Sequence, residues 1–167
     1  KGCRLSGCGL IGGETAELPG LYKDEDYDIA GFSVGVVDRR KVIDGSAITP
    51  GDVVLGIASS GPHSNGYSLI RKLFSDQEIR EKYKRQLLKP TTIYVKPVLA
   101  LLKKRIKING IAHITGGGFY DNLSRILPKG CAAVLNRHSW RIPKIFKTIQ
   151  ERASLDNENM YRTFNMG

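Results

Sequence analysis

Val53-Val54-Leu55-Gly56-Ile57-Ala58-Ser59-Ser60-Gly61-Pro62-His63-Ser64-Asn65-Gly66-Tyr67-Ser68-Leu69-Ile70 decides how the rest of this chain is read. An apolar run of strand length gives way to a turn of small residues, and a helical pattern follows through Phe74. The expectation is strand, turn, helix. The first amides of a helix have no partner within it, and the helix dipole adds partial positive charge there. Ser60, Gly61, Ser64, Asn65 and Gly66 therefore form a candidate phosphate or substrate cradle. His63, in the same turn, is the candidate catalytic residue, since its ordinary pKa of about 6.5 suits proton transfer. The competing reading is a structural histidine bonded to backbone. Ser64 or Asn65 as caps of the helix would be compatible with ligand binding.

A second unit of the same kind lies downstream. Ile108 to Ile114 reads as a strand, Thr115-Gly116-Gly117-Gly118 as its turn and Phe119 to Leu127 as its helix. Thr115 and the three glycines join the candidate substrate-binding set, with His113 at the end of the strand. His113 also fits a core position, and His138, between Arg137 and Ser139, fits the surface. Neither turn carries the Gly-Lys-Ser/Thr of a P-loop or a dinucleotide-binding fingerprint.

Outward from these turns, further strands are expected at Leu10-Ile11, 29–37 and 131–135. Helices are expected at 93–105, from Pro143 to Ala153, and from Met160 to Phe164. Residues 75–90 are polar without a clear period. Pro50-Gly51 breaks the pattern and places a boundary near residues 44–51. The expected fold class is α/β (α+β). Residues 1–44 read as the end of an N-terminal domain, being too few to fold unaided. Residues 45–167 read as most of a C-terminal α/β domain with a mixed sheet and flanking helices.

Composition narrows the function. The net charge of +10 is uneven, −2 over residues 1–44 and +12 over residues 45–167. Arg71 to Lys107 holds 12 basic and 3 acidic side chains. Such a field attracts phosphorylated small molecules or nucleic acid. The basic residues are not interleaved with aromatics, as a base-stacking platform requires, so nucleic acid is not the expected partner. No apolar run approaches the ~20 residues of a membrane helix, and no membrane partner is expected. Cys3, Cys8 and Cys131 make neither a metal pair nor a disulfide framework, which points to buried, reduced thiols and a cytoplasmic location. Glu14 and Glu17 follow Gly12-Gly13 in a loop, where they are either solvated charges or oxygen ligands for Mg²⁺. The acidic cluster 24–28 reads as solvated surface.

Several stretches together carry a resemblance that none carries alone. Gly12-Gly13-Glu14-Thr15-Ala16-Glu17-Leu18-Pro19-Gly20, Glu25 to Phe32, Ser59 to Tyr67, Ile111 to Phe119 and Met160 to Gly167 resemble aminoimidazole ribonucleotide synthetase, the phosphoribosylformylglycinamidine cyclo-ligase family. The resemblance covers nearly the whole chain in order. It implies ATP-dependent closure of the imidazole ring in purine synthesis, with ATP and Mg²⁺ as cofactors, a ribonucleotide substrate and a homodimer at full length. Phosphorylation of the formyl oxygen would turn a poor leaving group into a good one before the amidine attacks. The resemblance implies ATP binding by Glu14 and Thr15, metal binding by Glu14, and His63 either as the base or as the group that orients the formyl oxygen. The family's N-terminal lysine and aspartates are absent here, which implies a chain incomplete as a catalyst. Two alternatives stay open: another ATP-using member of the same superfamily, of the small-molecule kinase or selenophosphate synthetase type, and a non-catalytic basic binding module.

Overall fold

The computed structural model describes residues 1–23 and 25–167. Asp24, the first residue of the acidic cluster, lies outside the described residues. By internal contact the chain divides into two units, Lys1–Val42 and Ile43–Gly167.

The first unit contains one short helix, α1 (Gly2–Ser6), which ends at Gly7 in the left-handed conformation. A lone bridge joins Pro19 to Tyr22. A 3-10 turn, Arg39–Lys41, is capped by the Asp38 carboxylate, which accepts from the Arg40 amide. None of the unit's described residues is buried. Ile11, Phe32 and Val36 are almost wholly exposed.

The second unit carries the core. Its helices are α2 (Tyr67–Leu73), α3 (Asp76–Glu81), α4 (Lys84–Leu87), α5 (Val95–Lys103), α6 (Gly118–Ser124), α7 (Lys144–Ala153) and α8 (Asn157–Thr163). Helix α7 places Ile145, Phe146 and Ile149 on one face, the i, i+1, i+4 pattern of an inward stripe. They pack with Ile70, Phe74, Ile79, Leu87, Met160, Tyr161, Phe164 and Met166. Phe146 meets Phe164 edge-on at 5.9 Å, a favoured geometry for aromatic rings.

Residues 75–90, read as aperiodic, form two helices. Ser75 accepts from the Glu78 amide and Glu78 reaches back to the Ser75 amide, a reciprocal cap. The Ser-x-x-Glu spacing was legible in the sequence. Arg152, at the end of α7, then pins this region from outside. It donates to the Leu73 carbonyl at 2.9 Å, pairs with Glu78 at 2.8 Å, and lies 4.2 Å from the Phe74 ring centroid. That guanidinium, with the Ser75 amide, holds the Glu78 carboxyl down at about 2.

The predicted strands are not found. No strand ladder occurs among the described residues, so segments 10–11, 29–37, 53–58, 108–114 and 131–135 run without one. Many of their apolar side chains are open to solvent: Val34 is 80% exposed, Leu55 82% and Val134 91%, while Ile108, Ile114 and Leu135 are half-buried. Alternation of apolar residues reports a face that suits a sheet, but a strand exists only when a neighbour takes up its amides and carbonyls. The helices fare better because their hydrogen bonds are local. Residues 65–74 and 93–105 each contain the expected helix, trimmed at both ends, and the helix expected at 119–127 begins one residue earlier, at Gly118, and stops at Ser124. Pro143 precedes α7 as its cap instead of opening its first turn.

Candidate functional site

The turn at 59–66 is built by its own side chains. The Ser59 hydroxyl lies 2.9 Å from the Gly61 carbonyl and 3.3 Å from the Gly61 amide. The Ser60 amide donates to His63 Nε2 at 3.0 Å, and the Asn65 amide to the Pro62 carbonyl at 3.3 Å. These amides are thus occupied within the turn, leaving fewer free donors than the sequence reading expected. Helix α2 has only seven residues and starts after Gly66, with no side-chain cap. Ser64 and Asn65 point elsewhere: the Ser64 hydroxyl lies 3.3 Å from that of Thr91, and Asn65 Oδ1 accepts from the Thr115 hydroxyl at 3.1 Å.

That last bond matters for the site. Asn65 and Thr115 are 50 residues apart, and their contact brings together the two glycine turns that the sequence could only place separately. Asn122, 5% exposed, fastens the second turn from below. Its amide nitrogen donates to the carbonyls of Gly118 at 2.7 Å, Gly116 at 3.2 Å and Thr115 at 3.3 Å.

The glycines of the two turns serve packing. At Gly66 a Cβ would stand 2.2 Å from the Phe164 ring, at Gly61 2.6 Å from the Gln86 carbonyl oxygen, and at Gly118 1.9 Å from the Tyr161 carbonyl oxygen. Gly116 alone among these has an ordinary backbone angle, and its nearest neighbour would be Asn65 Oδ1 at 3.6 Å. It is exposed, so it is the glycine of this set whose face is left for something outside the fold.

A strap of residues 90–94 lies along the first turn. The Ser60 hydroxyl donates to the Pro90 carbonyl at 2.8 Å, the Thr92 amide approaches His63 Nε2 at 3.4 Å, and the Tyr94 hydroxyl donates to the Ala58 carbonyl at 2.9 Å. The rings of His63, Tyr94 and His113 form a triangle with centroids 6.1, 6.2 and 6.4 Å apart. His63, expected as a proton carrier or as a structural histidine bonded to backbone, is 7% exposed and takes backbone amides at Nε2, because Pro62 and the strap enclose it. His113, read as a core residue, is exposed, because no ladder covers its segment. His138 is at the surface, as read.

Two features of His63 are costly. Its φ is +59°, rare for a residue with a Cβ. Its Nδ1 is buried with no hydrogen-bond partner, which costs about 1–3 kcal/mol. The imidazole is held below the ordinary histidine value, first by burial and then by the neighbouring His113 charge. The folded pKa lies under the unfolded 6.5, so the unfolded chain binds more protons between the two values. The stabilisation is complete above the unfolded value and is lost as pH falls through the folded one. We expect the urea midpoint to drop between about pH 7.5 and about pH 5.5, and His63→Asn to flatten that slope.

Beneath the turn lies a residue the sequence reading did not select. Asn165, 7% exposed, donates to the Gly61 carbonyl at 2.9 Å. Its Oδ1 accepts from the Ser59 hydroxyl at 3.0 Å and from the Gly167 amide at 2.9 Å. Its position within the recognisable stretch 160–167 was the available signal. Tyr94 and Asn122 were likewise read only as helix positions.

Glu14 and Thr15 belong to the first unit and are exposed. No cluster of three or more His, Cys, Asp or Glu suited to a metal occurs among the described residues. A hard cation such as Mg²⁺ needs several oxygen ligands, so the described residues do not fit a metal site by themselves. Cys3, Cys8 and Cys131 are free thiols, but none is buried. No helix among the described residues is long and apolar enough to cross a membrane.

A model of the family described as AIR synthase related protein, C-terminal domain, matches residues 49–167. The whole chain is 58% identical over 171 aligned residues to a phosphoribosylformylglycinamidine cyclo-ligase of Clostridium perfringens, of which it covers 51%. It is 54% identical to a protein of that name in Geobacter metallireducens, again covering 51%, and 51% identical to one in Caldicellulosiruptor bescii, covering 52%. The chain therefore spans about half the length of the curated relatives it matches.

Proposed function

The chain belongs to the AIR synthase related family, and from that premise we propose that it serves in ATP-dependent closure of formylglycinamidine ribonucleotide to aminoimidazole ribonucleotide. The observation that carries this reading is the Asn65–Thr115 bond, which joins the two small-residue turns into one surface beside three aromatic rings. Ring closure requires the two ends of a flexible chain to be held together, and positioning of that kind supplies much of the rate. Ser64, Asn65, Thr115 and Gly116 offer hydroxyl, amide and backbone groups to a ribose phosphate, while Ser60, whose amide and hydroxyl go to His63 and Pro90, holds the turn in place. Gly61, Gly66, Gly117 and Gly118 set the shape of the two turns. His63 and His113 stand next to them.

The finer architecture is part of the same proposal. Residues 1–44 would end an N-terminal ATP-binding and dimerisation domain, and residues 45–167 would form most of the C-terminal domain. In that setting the apolar segments 29–37, 53–58, 108–114 and 131–135 would enter a mixed sheet. The intact protein would be a cytoplasmic homodimer.

ATP supplies the phosphoryl group that makes the formyl oxygen a leaving group. Glu14 and Thr15 are proposed to contact it, and Glu14 to contribute one oxygen to Mg²⁺. Among the described residues no further metal ligands gather beside Glu14. Glu14→Gln should weaken magnesium-dependent binding of ATP by about 10-fold to about 100-fold in calorimetry, the range expected when one charge-assisted contact is lost. Equal affinity would return Glu14 to the status of a loop charge.

The overall reading is tested by incubating the protein with formylglycinamidine ribonucleotide and magnesium ATP, and following ADP and the aminoimidazole together. Formation of both in equal amounts supports it. ADP release without ring closure would move the chain to the kinase-like branch of the superfamily.

A further inference from the structure

His63 poses a question about its own chemistry that the ring-closing reading leaves open, namely which nitrogen carries the proton. Two backbone amides converge on Nε2, that of Ser60 at 3.0 Å and that of Thr92 at 3.4 Å. An N–H donor can approach that nitrogen only if it carries a lone pair. A neutral imidazole has one donor and one acceptor nitrogen. Its proton must therefore sit on Nδ1. Nδ1 is the atom that is buried and has no partner. A second feature points the same way: the backbone at His63 is left-handed, with φ +59°. Strained backbone and an unsatisfied buried donor coincide in one residue, a pairing that structures retain where a ligand completes the site.

We infer that His63 acts as a neutral hydrogen-bond donor through Nδ1–H, directed at an oxygen of the ligand, and not as the base that removes a proton. A base would have to accept at Nε2, expelling the Ser60 and Thr92 amides and loosening the turn from its strap. A donor leaves both amides in place. Of the two rings flanking His63, Tyr94 is tethered through its hydroxyl to Ala58, whereas His113 is exposed and lies outside any helix. The acceptor class is a carbonyl or formyl oxygen. This identification of the ligand rests on the ring-closing reading, but the protonation pattern does not.

The test uses the full chain with ¹⁵N-labelled histidine and long-range proton–nitrogen correlation at neutral pH, with His63→Asn identifying the His63 signals. The expected result is a protonated Nδ1 and an unprotonated Nε2. An Nε2–H tautomer, or rapid averaging of the two, overturns the inference. A second measurement titrates formylglycinamidine ribonucleotide into wild type, His63→Asn and His63→Leu. The asparagine amide nitrogen stands near the position of Nδ1, and asparagine tolerates the left-handed backbone. Asn should therefore stay within about 3-fold of wild-type affinity while Leu loses about 10-fold, the loss of one hydrogen bond. Equal affinities for the two variants also overturn the donor role. A wild-type chain with the Nδ1–H tautomer that fails to bind the ribonucleotide overturns the ring-closing reading instead, and leaves the protonation assignment standing.

Discussion

Gly118→Ala is expected to lower the stability of the second unit by about 3 kcal/mol or more, through two separate penalties. Gly118 opens α6 with φ +59°, where an alanine costs about 1–2 kcal/mol. Its new methyl would stand 1.9 Å from the Tyr161 carbonyl oxygen and 2.7 Å from the Tyr161 and Arg162 carbonyl carbons. These are backbone atoms of α8, which cannot swing aside as a side chain would. Overpacking of this kind adds about 1–3 kcal/mol. A domain of this size is stable by only about 5–15 kcal/mol, so a large share would be gone. Gly116→Ala is the control. It sits in the same turn, has no positive φ, and would meet Asn65 Oδ1 at 3.6 Å. Urea unfolding followed by far-UV circular dichroism should show Gly116→Ala within about 1 kcal/mol of wild type. Matching losses at the two positions would show that helix α6 does not dock on α8 as described.

Asn165 gives the second large effect, and an unusual pH signature. Its side chain fills three bonds in a buried place, one as donor and two as acceptor. Asn165→Asp keeps the shape and both accepted bonds. It replaces the donor facing the Gly61 carbonyl with a second oxygen, and it buries a charge. At about pH 8 the variant should lose about 3–5 kcal/mol, the cost of a buried charge without a partner. Burial raises a carboxyl pKa. The folded variant therefore binds its proton at a higher pH than the unfolded chain, and protonation restores an O–H donor. Relative to wild type at the same pH, the loss should shrink as pH falls to about 5. Asn165→Ala, with nothing to titrate there, should show a deficit that does not shrink. Paired urea titrations at the two pH values decide it. An aspartate variant whose deficit ignores pH would mean the side chain reaches solvent.

These predictions rest on residues of different legibility. Ser59 to Gly66 was recognisable as a turn from its small residues, and α7 from Pro143 at its start. The cap of α3 was written in Ser75 and Glu78, though the surrounding charge obscured it. His63 could be named as a site residue but not described. Its burial depends on Pro62 and on a strap 29 residues away. Asn165 looked like one polar residue in a short terminal stretch. Its importance comes from lying under Gly61, 104 residues earlier.

The sequence by itself determined the local turns, the helices with a clear apolar stripe, the charge asymmetry and the family, because each is encoded in neighbouring residues or in their order. Tertiary structure decided which turns meet, which histidine is buried, which asparagine holds the corner and which glycines cannot change. Those outcomes depend on contacts between distant segments, whose closure no local pattern specifies. Strands fall on the same side of that line: an alternating segment states a preference, and only a partner's amides and carbonyls turn it into a sheet.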